Sequence, residues 1–151
     1  MRRKEKEIMD KAEIESIIKN AQVCRLAMVD DGAPYVVPLC FGYQDGVLYF
    51  HSAEEGKKID ILKHSNSVCF EFDVVTGMST GKTACDWGMN YRSVIGFGKA
   101  IILENPEEKR SALEIITAQY ADKAYKLTDG AVKETLVIKV DIERMTGKQS
   151  G

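Results

Sequence analysis

The sequence has no surplus of charge of either sign: 21 Lys and Arg stand against 23 Asp and Glu, a formal net charge of −2. That leaves no basic footprint, so no nucleic-acid partner is expected. No apolar run approaches the ~20 residues that span a bilayer. The segment Met1–Glu7 has no apolar stretch behind it to make a signal peptide. A cytoplasmic protein with no membrane partner is expected. Histidine is scarce, with only His51 and His64. This argues against a histidine-based catalytic triad, and no further ligands stand at a spacing that would hold a metal. The four cysteines, Cys24, Cys40, Cys69 and Cys85, form no C-x-x-C pair, which excludes the common zinc and dithiol motifs. Cys24, Cys40 and Cys69 fall in predicted strands and read as buried structural thiols, while Cys85 falls in a loop. A glycine-rich nucleotide loop is also missing, because Thr146-Gly147-Lys148 lacks the upstream glycine spacing.

What is present is an ordinary globular chain of 151 residues, long enough for one domain with a real core, residues 1–151. Asp10 to Ala21 reads as a helix with Asp10 as cap and Glu13 as its box partner. Ile14, Ile17, Ile18 and Ala21 form its apolar stripe. Val23 to Val29, Pro34 to Tyr43 and Val47 to Ser52 read as strands joined by turns at Asp30-Asp31-Gly32 and Gln44-Asp45-Gly46. Pro38 interrupts the second strand, which must be an edge, be bulged, or lend its backbone to something else. Ser67 to Val75 gives a fourth strand and Tyr91 to Glu104 a fifth, with Gly96 and Gly98 allowing a bend. Between them, Val74 to Met89 lacks pattern and reads as a long loop. Asn105 and Pro106 open a third helix, with Leu113, Ile115, Ile116 and Tyr120 as its apolar positions. Leu136 to Ile142 is the sixth strand, followed by a tail. Six short strands with three helices at intervals suggest a small antiparallel barrel, mainly β with flanking helices.

The stretch Val47 to Lys63 breaks a local rule. After the strand, Ala53-Glu54-Glu55-Gly56 turns the chain into a short helix whose first turn carries Lys57 and Lys58. The helix dipole disfavours cations there. Either Glu54 and Glu55 neutralise the lysines on a wet surface, or an anion sits at the helix start, where backbone N–H groups already favour phosphate. His51 lies at the strand end six residues before the lysines and reads as either structural or part of that site. Arg92 and Ser93 are either solvent-facing or functional, and Trp87 and Met89 either join the core or lie over a flat ligand.

The order PYVVPLCFGY, DGVLYFHSAEEGKKIDIL, YRSVIGFGKA and a closing TGK, spanning roughly Arg2 to Lys148, resembles the split-barrel flavoproteins related to pyridoxamine 5′-phosphate oxidase. The nearest branch is the Nim type, associated with nitroimidazole resistance through nitro-group reduction. The resemblance implies a six-stranded antiparallel split β-barrel, a homodimer, and FMN at the subunit interface. By position it implies that backbone around Val37, Pro38, Leu39 and Phe41 lines the isoalloxazine and ribityl chain. His51 and Ser52 match the strand-end pair beside the flavin and its phosphate, and Lys57 and Lys58 match the basic pair on the phosphate. Ser93 falls where the oxidase branch has a longer glutamine near the ring. The tail ERMTGKQSG lacks the tryptophan and arginine positions that hold a pyridoxal substrate, so oxidation of pyridoxamine phosphate is not expected. The Val74–Met89 segment with Trp87 is the candidate wall of the substrate pocket, partly from the other subunit. The implied function is an FMN-dependent oxidoreductase reducing a small electrophile such as a nitroaromatic. The alternatives are a flavin carrier or sensor without turnover, and a haem-binding split barrel with His51 as axial ligand. No catalytic side chain and no metal site are assigned.

Overall fold

The computed structural model describes residues 3–151. Met1 and Arg2, where the N-terminal segment considered above begins, lie outside the described residues. In chain order the elements are β1 (Glu7–Ile8), α1 (Lys11–Asn20), β2 (Cys24–Asp30), β3 (Ala33–Leu39), β4 (Gly42–Gln44), β5 (Val47–Ser52), α2 (Lys57–His64), β6 (Ser67–Ser79), β7 (Gly88–Leu103), α3 (Pro106–Tyr120), α4 (Asp129–Glu134) and β8 (Leu136–Ser150). The strands form one antiparallel sheet in the order β3-β2-β6-β7-β8-β5-β4, with β1 added against β8. Only Cys40 and Phe41 separate β3 from β4, so the two ends of the sheet meet at that corner, yet β3 and β4 do not pair. The sheet is therefore a split barrel with helices on its flanks.

Alternation builds the core. Cys24, Leu26 and Met28 of β2, Leu48 and Phe50 of β5, and Val68, Phe70 and Phe72 of β6 all point inward and are buried. Phe41 meets Phe72 edge-on at 4.7 Å between ring centres, and Phe70 meets Phe72 at 5.9 Å. Each such side chain stabilises the fold by about 1.5–3 kcal/mol through burial. Ile14, Ile17 and Ile18 of α1 and Ile59, Ile61 and Leu62 of α2 close the same core. Gly96 is needed where the Phe70 ring packs on β7, since a Cβ there would overlap the ring. Beside Gly98 the β7–β8 register shifts by one residue, and the extra residue is Glu143 on β8.

The strand count is eight rather than six. The strand expected from Pro34 to Tyr43 is two, broken at Cys40–Phe41, and β1 is an added edge. The expected loop from Val74 to Met89 is largely strand: β6 and β7 pair out to Ser79 opposite Gly88, with an irregularity between Val75 and Gly77. Only the tip turns, where Thr83 and Asp86 cap each other reciprocally. The tail is strand too, because β8 continues to Ser150 between β7 and β1. Cys40 is exposed, not buried, since it stands where the alternation of β3 stops, while Cys24 is buried and Cys69 is partly so. Burial pushes the Cys24 thiol far above its ordinary pKa.

Helix ends follow their caps. The Asp10 carboxylate accepts from the Ala12 N–H at 2.9 Å, but Glu13 forms no box and instead accepts from Arg92 at 3.0 Å. Asn105 accepts from the N–H groups of Glu107 and Glu108, with Pro106 in the first helical position. Tyr120 is half exposed rather than a core position. Its hydroxyl accepts from the Phe41 N–H and donates to the Gln22 carbonyl, both at 3.0 Å. That pair of bonds ties the end of α3 to the corner where the sheet ends meet.

Candidate functional site

β4 covers β5 only from Val47 to Tyr49. Beyond that, the edge of β5 is open and faces the other end of the sheet. The split is therefore a groove, of about 410 Å³, whose walls are Tyr35 and Val37 of β3, His51 and Ser52 of β5, and the turn into α2 with Gly56, Lys57 and Lys58.

The β3 wall has unusual backbone chemistry. Asp31 and Gly32 both have positive φ, the signature of a two-residue turn closed by the Asp30–Ala33 pair. From that closing pair, hydrogen-bonded and non-bonded pairs alternate along β3. Pro34, Val36 and Pro38 then fall where an N–H would point away from β2, toward the open edge. Two of those three positions are proline, so the edge offers mostly carbonyls and resists pairing with another strand. The interruption at Pro38 is thus an edge feature of an otherwise regular strand.

The floor of the groove is the start of α2. Gly56 has φ +125° and ψ 165°, a region open essentially to glycine alone. No side chain caps the helix. The first internal bonds run from the Ile59 and Asp60 N–H groups to the Gly56 carbonyl, at 2.8 and 3.1 Å. The N–H groups of Lys57 and Lys58 therefore have no use within the helix and carry the positive end of its dipole.

The two lysines differ. The Lys57 ammonium lies 3.3 Å from an Asp30 carboxylate oxygen and 5.0 Å above the Tyr35 ring. Its partner is thus Asp30, on a different element, and not Glu54 or Glu55. Lys58 is half-buried and has no ion-pair partner among the described residues. Burial holds its ammonium below the usual lysine range. Two ammonium groups, the Ser52 hydroxyl beside them and unspent N–H groups make a donor set that fits a phosphate monoester.

One chain brings Val37, His51, Ser52, Lys57 and Lys58 together around this groove. Pro38 and Leu39 continue the β3 wall toward the corner. Phe41 is wholly buried and its N–H is taken by Tyr120, so it shapes the corner without offering a ligand its ring or its donor. Ser93 is buried on β7 and stands apart, with β2 and β6 between it and β3 in the sheet. Sequence reasoning missed Asp30 and Tyr35, because only tertiary packing of α2 beside the β2–β3 hairpin brings them to Lys57.

Two further features flank the site. The β6–β7 arm beyond Val75 exposes Met78, opposite Met89, and Trp87, which is 57% exposed. The Trp87 indole N–H donates to the Gly81 carbonyl at 3.2 Å, which fixes the ring on the arm tip. On the outer face of the sheet, pairing aligns Val36, Ala27, Cys69 and Phe97 in one row across β3, β2, β6 and β7. Val36 and Phe97 are exposed. Among the described residues no cluster of three or more His, Cys, Asp or Glu stands ready for a metal, and no helix is long and apolar enough to cross a membrane.

The sequence profile of the pyridoxamine 5′-phosphate oxidase family matches residues 10–149. The chain is 41% identical to a proposed 5-nitroimidazole antibiotic resistance protein from Bacteroides thetaiotaomicron, covering 95% of this chain and 86% of that one with a TM-score of 0.85. The flavocytochrome Anf3 from Azotobacter vinelandii has the same fold at 18% identity, TM-score 0.86, over 100% of this chain and 72% of that one. So does an FAD and heme binding protein from Mycobacterium smegmatis, at 18% identity and TM-score 0.87, over 96% and 73%. Among the curated proteins, none matches the chain. A profile match over nearly the whole chain, the close Bacteroides relative and a sheet split beside a basic helix start agree: the chain belongs to the split-barrel family of pyridoxamine 5′-phosphate oxidase.

Proposed function

We propose that the protein is a homodimeric, cytoplasmic FMN-binding flavoprotein that reduces a small electrophile such as a nitroaromatic compound. The observation that carries this reading is the joint at Gly56–Lys58, where cations and free N–H groups converge on a groove open to a flat ligand. Family membership and the 41% identity to a protein tied to 5-nitroimidazole resistance support both the flavin and the substrate class. Bound FMN would supply the electron transfer itself.

The chain's residues do the holding and shaping. Lys57, Lys58, Ser52 and the α2 N–H groups anchor the phosphate. The backbone of Val37, Pro38 and Leu39 lines the ribityl chain and ring, and the proline positions free that edge for a ligand rather than a strand. Phe41 acts at one remove, by holding the β3–β4 corner through its buried ring. His51 sits beside the flavin as a neighbour and not as an acid or base. Ser93 reaches the ring from the second copy, since within one chain it stands apart from the groove. The outer row containing Val36 and Phe97 is the apolar face on which two copies meet, and the arm with Trp87 walls the pocket above the open flavin face.

Titrating FMN into wild type and into the Lys57→Ala/Lys58→Ala double variant tests the phosphate site. Charge-assisted hydrogen bonds are worth about 1.5–3 kcal/mol each, so affinity is expected to fall by roughly a hundredfold or more. Full affinity in the double variant would sink the site. Steady turnover of a nitroimidazole with reduced nicotinamide supports the reductase. Flavin binding without turnover would leave a carrier or sensor, and a Soret band in the purified protein would point to haem instead.

A further inference from the structure

Asp30 belongs to neither the lysine pair nor the strand-end pair, yet it touches the groove through its ion pair with Lys57. It ends β2 at the two-residue turn, and its pairing with Ala33 fixes where its side chain starts. From there its carboxylate reaches the Lys57 ammonium at 3.3 Å, while Tyr35 of the same hairpin lies under that ammonium at 5.0 Å. Glu55 lines the groove. Among the described residues Lys57 is ion-paired, to Asp30, and Lys58 is not. We propose that Asp30 is a specificity-determining residue: its carboxylate competes with the ligand's phosphate for Lys57, and so limits how strongly the groove prefers a phosphorylated flavin over an unphosphorylated one.

This rests on the flavin reading above. An arriving phosphate finds Lys58 unpaired but must share or displace Asp30 at Lys57, and it feels repulsion from the same carboxylate. The Asp30 and Lys57 side chains are 45% and 55% exposed. Exposed pairs of this kind are weak and screened, so the competition is a modulation and not a block. Riboflavin has the same ring and ribityl chain without the phosphate, so it should not register Asp30 at all.

The test is a set of FMN and riboflavin titrations on wild type, Asp30→Asn, Asp30→Ser and the Asp30→Asn/Lys57→Ala pair at fixed ionic strength. Both single variants are expected to bind FMN about two- to fivefold more tightly, the range set by an exposed pair, with riboflavin unchanged. The gain should shrink when Lys57 is also removed, and should fade at high salt. If wild type prefers FMN but neither variant increases that preference, or if both ligands shift together, the role of Asp30 is overturned while the flavin reading stands. If wild type binds FMN no better than riboflavin, the phosphate site falls and this role of Asp30 falls with it.

Discussion

At the scale of single residues, the two lysines that look equivalent in the sequence do different work. Lys57 is paired and outward, and Lys58 is half-buried and in no ion pair among the described residues. The folded state holds the Lys58 proton less tightly than the unfolded chain does. Its charge therefore costs stability, and that cost is relieved as pH rises through the lowered pKa toward the ordinary lysine value of about 10.4. Phosphate binding needs the ammonium, so FMN affinity should fall over the same alkaline interval. Relative to wild type, Lys58→Met is expected to lose both trends. It should bind FMN at least about tenfold more weakly and melt at the same or a higher temperature when ligand-free. A variant that melts well below wild type and keeps its FMN affinity would reverse these roles. The lysine pair was legible in the sequence because cations at a helix start contradict the dipole. Asp30 and Tyr35 were not, because they lie more than twenty residues upstream of Lys57 and no local rule links them to it.

At the scale of elements, the turn Ala53–Gly56 decides where the α2 donors point. Gly56→Ala forces a Cβ into a backbone region of high cost and should destabilise the fold by about 1–3 kcal/mol, read as a lower midpoint in urea. It should also weaken FMN binding by tilting the helix start. Unchanged stability would mean that the turn relaxes freely. The elements carried by strong local pattern were readable: α1 from its stripe and Asp10 cap, β2, β5 and β6 from alternation, and α3 from Asn105-Pro106. The distal half of the β6–β7 hairpin was not. Gly77 and Ser79 carry no apolar period, and what makes them strand is the partner across the ladder. The end of β8 was missed for the same reason, since Gly147 and Lys148 are held by β7 on one side and β1 on the other. Pro38 was ambiguous from sequence, and the alternation set by the Asp31-Gly32 turn resolves it as an edge position.

At the scale of the whole molecule, the groove occupies the split and Ser93 lies on another part of the barrel, so the proposed flavin site, with Ser93 in it, predicts two copies. Sedimentation of the FMN-loaded protein is expected to give twice the 16.9 kDa chain mass. Introducing charge into the outer apolar row, as Val36→Asp with Phe97→Asp, should shift it to monomer and release the flavin together. A wild-type monomer with tightly bound FMN would contradict the shared site. The most direct measurement is a crystal structure of the chain grown with FMN. The phosphate density is expected within hydrogen-bonding distance of the Lys58 ammonium and the Ser52 hydroxyl, at the start of α2, with the ring running along β3 toward a second copy. Phosphate density anywhere else on the barrel, or a groove that stays free of flavin at saturating FMN, would contradict it.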